Sequence, residues 1–201
     1  MIKRNLLVMG LAVLLSACGF QLRGTGTTEL AIKELDLSAR NAYGETVTQM
    51  RQVLEGSGVK VYSGAPYKLV LTDEQENQRI LSYAGAGRTG EYQVTTVLNY
   101  DIRGRGDLPL MSDKLEVQKI FIHDGNNLVG SDQEAATARV ETRRELIQRM
   151  VLRLQQLTPA QLDQLQQTAE AKAKADAAAL EAAQKAEANT PRQSPVELQQ
   201  Q

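Results

Sequence analysis

Residues 90–103 read GEYQVTTVLNYDIR, and their two-residue rhythm decides the fold. Tyr92, Val94, Thr96, Leu98, Tyr100 and Ile102 alternate with Gln93, Thr95, Val97, Asn99 and Asp101. Period two turns one set of side chains toward a packed face and the other toward a wetter one, the pattern of a half-buried strand. Glycine-bearing segments bracket it, Gly85-Ala86-Gly87-Arg88-Thr89-Gly90 before and Gly104-Arg105-Gly106-Asp107 after. Both suit hairpin loops, so the strand belongs to a meander.

Upstream, Ile80–Tyr83, Tyr67–Thr72 and Val59–Tyr62 read as extended, with a polar stretch from Asp73 to Gln78 and a break at Ser63-Gly64-Ala65-Pro66. Before them, Tyr43, Val47, Met50 and Leu54 recur at spacings of four, three and four, one stripe of an amphipathic helix. Glu55-Gly56-Ser57-Gly58 stops it, because glycine accepts the left-handed conformation that ends helices. Leu30–Leu37 is an opening strand with imperfect alternation, since Ile32 and Leu35 fall on opposite faces.

Downstream, Leu115, Val117 and Phe121 mark a last strand ending at His123-Asp124-Gly125. Ser131-Asp132-Gln133-Glu134 matches a capping box, serine with glutamate three residues on. Val140, Ile147, Val151 and Leu154, with Met150 and Leu157 beside them, then supply the stripe of a second long helix. The order strand, helix, three strands, helix predicts an α+β domain over residues 29–157: a four-stranded mixed sheet covered on one face by two helices. A helical crossover makes the first two strands parallel. Alternating directions then gather Ser38–Ala42, Ala84–Gly90 and Asp124–Ser131 at one pole and the chain's entry at the other.

From residue 158 to 201 the character changes. Thr158-Pro159-Ala160-Gln161 can cap another helix, with proline at its first position. Residues 169–188 are mostly Ala, Glu, Lys and Gln, good helix formers with almost nothing to bury, so helix is expected there and docking is not. Asn189–Gln201 carries two prolines among polar residues and reads as disordered. The whole segment 158–201 reads as a low-complexity tail dispensable for the fold.

The N-terminus fixes the compartment. Lys3 and Arg4 precede an apolar run from Leu6 to Leu15, then small Ser16 and Ala17, then Cys18, the single cysteine. The run is too short to cross a bilayer core, which takes roughly 20 apolar residues. Residues 1–17 read as a secretory signal. Leu15-Ser16-Ala17-Cys18 resembles the bacterial lipobox, in which the cysteine is lipidated and becomes the first mature residue, followed here by a tether over 18–28. Removing Lys3 and Arg4 from a chain of net charge −1 leaves −3, which carries no nucleic-acid footprint.

Chemistry is sparse. His123, the only histidine, stands beside a turn and reads as a strand-end residue, and with Cys18 committed to lipid no Cys/His metal site remains. Gly85-x-Gly87-x-x-Gly90 spells a nucleotide-loop pattern but lacks the following helix that would hold phosphate. Asp73, Glu74 and Glu76 read as a solvated run. The expectation is a non-enzyme with no catalytic residue, metal or cofactor.

Cys18-Gly19-Phe20-Gln21-Leu22-Arg23-Gly24 and the strand opening Gly90-Glu91-Tyr92-Gln93 resemble the lipopolysaccharide-assembly lipoprotein family, LptE, over roughly residues 18–157. The resemblance implies the family's strand–helix–three-strand–helix fold. It also implies a place as plug and assembly partner inside the outer-membrane β-barrel LptD, lipopolysaccharide as ligand, and attachment to the outer membrane on its periplasmic side through lipid on Cys18. Arg88 and Arg40 are the candidate contacts to lipopolysaccharide phosphates, since guanidinium grips phosphate in two-point fashion. Two other readings stay open: a scaffold of another machine such as the barrel-assembly complex, or a small-molecule-binding lipoprotein, which an enclosed apolar cavity would favour.

Overall fold

The computed structural model describes residues 30–84 and 89–189. Strand β4, Thr89–Arg103, follows the expected rhythm: even-numbered residues from Val94 to Ile102 are buried, and odd-numbered ones from Thr95 to Asp101 are half-buried. Antiparallel neighbours flank it, β3 (Lys68–Ala84) and β5 (Pro109–Asp124). A single 3-10 turn, Arg105–Asp107, joins β4 to β5. β1 (Glu34–Ala39) lies parallel to β3 but pairs with it only from Lys68 to Leu71, helix α1 (Glu45–Gly56) being the crossover.

The sheet has five strands, not four. β2, Lys60–Val61, is a two-residue strand parallel to β1, so the order is β2-β1-β3-β4-β5. β1 starts at Glu34, after Ile32, which removes the apparent conflict of faces: Leu35 and Leu37 point the same way within the strand, and Ile32 is buried ahead of it. The polar stretch Asp73–Gln78 does not interrupt β3. Its backbone bonds to β4 are enough, because the helical layer reaches it only through polar side chains and no apolar side chain is required there.

Neither helix starts where its sequence pattern predicts. Tyr43 is 97% exposed and precedes α1, whose buried stripe is Thr46, Val47, Met50 and Leu54. Helix α2, Leu128–Gln155, opens earlier than the Ser131–Glu134 pattern predicts, with Asn127 as its cap accepting from the Gly130 N–H at 3.1 Å. Ser131 lies inside the helix, and its hydroxyl instead exchanges hydrogen bonds with the main chain of Asp124. Val140 is 46% exposed; Ala138 and Thr142 take the buried positions on that stretch.

The Thr158–Gln161 cap forms as expected: Thr158 Oγ1 accepts from the Gln161 N–H at 3.2 Å, and Gln161 Oε1 accepts from the Thr158 N–H at 3.0 Å. Helix α3 runs Pro159–Asn189. Its opening turns dock, with Leu162 and Gln166 each 1% exposed, so packed structure continues past residue 157. A leucine at the right helical position was enough to extend the core, although the composition around it is polar.

Two regions result. The base is one core in which Leu35, Met50, Leu54, Leu69, Leu98, Ile102, Leu146, Met150 and Leu154 meet. Beyond Asp73 of β3, Asn99 of β4 and Leu115 of β5 the three long strands continue as a blade. Under its α2 face Val117 still belongs to the base core, and past it lies a small separate cluster: Val94, Phe121, Ala135 and Ala138, with Tyr92 beside them.

Candidate interaction surface

The blade is asymmetric. α2 lies over β5 and β4 on one face. Past Leu71, β3 has among the described residues neither a strand partner on its outer edge nor a helix above it, and every residue from Glu74 to Tyr83 is exposed. Polar contacts from the helical layer reach part of it. Thr46 donates to Glu74 at 2.7 Å, and Arg139 donates to Glu76 at 2.6 Å and to Gln78 at 3.0 Å.

The opposite face of the blade carries no element at all among the described residues; it is polar across its middle and apolar toward its far end, where Ile120 and Ile122 are exposed. Arg79 Nε donates to Gln93 Oε1 at 2.6 Å, Gln93 Nε2 to Gln118 Oε1 at 2.5 Å, and Gln118 Nε2 to Glu116 Oε1 at 2.5 Å. This chain of amides crosses all three strands, and it buries Gln93 to 6% exposure on a face that is otherwise open. Side chains tied to one another in this way present a fixed polar surface at little further entropy cost.

The far end is different again. Ile80, Leu81 and Tyr83 on β3, Ile120 and Ile122 on β5, and Leu128 and Val129 at the start of α2 are all exposed. Tyr92 holds the strands together there, its ring 5.8 Å from Phe121 and 4.7 Å from His123. His123 is thus a half-buried strand-end residue stacked on a tyrosine. Gly90 is needed for a close approach, since a Cβ there would lie 2.5 Å from the Ser82 carbonyl oxygen, beside the register shift between Ile80 and Ser82.

Of the residues picked from sequence, Cys18 and Arg88 lie outside the described residues. Arg40 does not sit at the far end. Its N–H donates to the Leu71 carbonyl at 3.0 Å, at the level where the base ends. From Asp73 to Ala84 the strand runs on for roughly 36 Å, so Ser38–Ala42 and the β3–β4 hairpin do not share a pole. The cause is the unequal length of β1 and β3, six residues against 17. Arg40 is 81% exposed and 3.7 Å from Asp73, beside a cleft of about 470 Å³ where Glu45, Asp73, Glu74 and Glu76 face Arg40 and Arg143.

The exposed apolar end was missed from sequence. For β5 a signal was present: placing Val117 and Phe121 on the packed face leaves Ile120 and Ile122 on the other.

A mixed sheet with helices on one face is shared with solved bacterial lipoproteins. Lipoprotein B of Nitrosomonas europaea matches with a TM-score of 0.56 at 18% identity, covering 69% of this chain and 89% of that one. Rare lipoprotein B of Shewanella oneidensis matches at 0.55 and 20% identity, over 60% and 92%. Sequence narrows the class to one family. The model of the LptE family, described as lipopolysaccharide-assembly, matches residues 32–154. The LPS-assembly lipoprotein LptE of Pectobacterium atrosepticum is 30% identical over 155 residues, 74% of this chain and 83% of that protein. The chain belongs to the LptE family.

Proposed function

We propose that the protein is a non-enzymatic lipoprotein of the outer membrane, held on the periplasmic side by lipid on Cys18. It plugs and assists the assembly of an LptD-type β-barrel, and it binds lipopolysaccharide for delivery to the outer leaflet. Residues 1–17 are the signal, 18–28 the tether, and the domain is the part that enters the barrel. The observation that carries this reading is the bare face of the blade, with its bonded polar row Arg79, Gln93, Gln118 and Glu116. Barrel lumens are polar, so a plug that slides into one is suited by fixed hydrogen-bonding groups across the middle of the face it presents. Among the described residues no helix is long and apolar enough to cross a membrane. Burial of acyl carbons contributes ~0.8 kcal/mol per CH₂, so more than one chain gives durable attachment.

The test is purification of the lipidated protein from outer membrane and identification of the barrel that accompanies it. An LptD-type barrel is expected; barrel-assembly subunits in its place would overturn the reading. Arg88 and Arg40 are tested separately because the fold separates their loops. Arg88→Asp is expected to weaken lipopolysaccharide binding more than Arg192→Asp, which changes net charge equally. Arg40→Asp should match the Arg192 control if the ligand meets only the far end. Binding is compared at two salt concentrations, since exposed ionic contacts are screened.

A further inference from the structure

Helix α3 touches the base through few side chains, and one of them is out of character. Gln166 is 1% exposed, while Gln164, Gln167 and Thr168 around it are exposed. Its amide pairs with the main chain of Arg105 in the β4–β5 turn. The Arg105 N–H donates to Gln166 Oε1 at 3.0 Å, and Gln166 Nε2 donates to the Arg105 carbonyl at 3.2 Å and to Glu170 Oε1 at 2.7 Å. This is the two-point pairing a neighbouring strand would make, supplied by a side chain. Gly104 makes room for it: a Cβ at that position would lie 1.8 Å from Gln166 Oε1. On the other flank the Tyr67 hydroxyl donates to Asp163 at 3.0 Å.

We propose that Gln166 is a clamp that fixes the direction of α3, making the helix beyond it a rigid strut instead of a loose tail. Leu162 alone is a pivot, because one apolar contact resists lifting but not swinging. Gln166, one turn further and bonded at two points to a turn that is itself closed by Gly104 N–H to Leu108 O and Asp107 N–H to Gly104 O, removes that freedom.

From Ala171 to Asn189 every residue is exposed, yet the helix is continuous. Eleven of the 21 residues 169–189 are alanine, which favours helix without any partner. Glu170 and Lys174, and Glu181 and Lys185, stand four apart with the acid first, the better orientation for support along a helix. Leu180 is the one large apolar residue on this stretch, so it has no stripe with which to bury itself in another protein. Its consequence is a distance: Asn189 is carried about 28 Å beyond the point where the helix leaves the surface. This inference rests on the geometry of the base alone and stands apart from the proposed barrel partner.

The test places ketone-reactive nitroxides on p-acetylphenylalanine at positions 114 on β5 and 181 on α3 of the full chain, leaving Cys18 untouched. A single narrow distance distribution is expected for the parent. Gln166→Ala and Gly104→Ala should each broaden it at least about twofold by freeing the helix to swing, and Gln167→Ala should not. Exchange of the Arg105 amide proton should be slow in the parent and fast in Gln166→Ala. Should Gln166→Ala unfold the base, Gln166→Glu, which keeps an acceptor and loses the donor, is read in its place and should give a broadened distribution. A broad distribution in the parent, or an unchanged one in the clamp variants, overturns the proposal.

Discussion

The base and the blade are made from the same three strands and hold together by different means. At the base, β3 and β4 bury Leu69, Leu98, Tyr100 and Ile102 in one core with Met50 and Leu54 of α1 and Leu146 and Met150 of α2, and β5 adds the half-buried Leu115. In the blade the same strands keep their register with one small cluster on one face and amide ladders on the other. Backbone pairing propagates a strand once a core has fixed its start, so length beyond the core is a matter of hydrogen bonds and not of burial. Stability therefore sits in the base, and the blade is free to carry surface chosen for what it meets.

That contrast predicts a steep gradient of mutational cost. Leu98→Ala or Leu154→Ala, both essentially unexposed, should lower unfolding free energy by about 2–5 kcal/mol in denaturant titrations. Ile122→Ala in the blade should stay within about 0.5 kcal/mol. A comparable loss at Ile122 would break the division into two regions.

The lower edge of the base can be located by truncation. A chain ending at Leu157 loses Leu162 from the core and leaves the Arg105 main chain without its partner, and should lose about 2–4 kcal/mol. A chain ending at Ala171 should unfold with the full-length midpoint. Equal midpoints for both truncations would restore the boundary that composition alone suggests.

A smaller effect sharpens the junction between the regions. Thr96 Oγ1 donates to Thr142 Oγ1 at 3.1 Å, tying the middle of β4 to α2 where both residues are buried. Thr142→Val should cost about 1–2 kcal/mol by stranding the Thr96 hydroxyl. Adding Thr96→Val should restore part of that loss, and a double-mutant cycle reads the coupling.

The weakest contribution lies on the solvent side of α2. The Arg149 guanidinium, 2.6 Å away, holds the Glu145 carboxyl below the usual carboxylate range, with Lys119 assisting at 3.4 Å. A depressed folded-state pKa adds stability that is full above the unfolded value and fades as pH falls through the folded one. Glu145→Gln should shift the melting midpoint by no more than about 1 °C at pH 7, and the difference should vanish in acid below the ordinary carboxylate range.

The base was largely legible because burial writes a periodic signal. The even-numbered face of β4 and the Val47, Met50, Leu54 stripe follow directly from spacing. The blade was less legible because it buries little. Asp73–Gln78 read as an interruption, since strand pairing by backbone leaves no mark on side-chain polarity. The start of α2 was misplaced because Asn127 and Ser131 are both good caps, and only the turn after Asp124 decides between them. Spacing groups Arg40 with the far loops because it gives the order of strands but not their unequal lengths. The exposed apolar end around Tyr83 and Ile122 falls where strand rhythm is present but a covering layer is absent, and the covering layer is a tertiary fact.

Past Leu71 the outer edge of β3 has no partner among the described residues, which leaves its outward main-chain donors and acceptors unpaired over Asp73–Ala84, along roughly 36 Å. An edge of that length would pair with any extended chain that reached it, including another copy of itself. The sequence from 73 to 84 contains neither proline nor lysine, the residues that most often guard such an edge. What guards it are register shifts between Leu71 and Asp73 and between Ile80 and Ser82, together with charges at Glu74, Glu76 and Arg79. Two kinks and a few charged side chains, none of them part of the core, are thus what stands between that edge and a pairing chain.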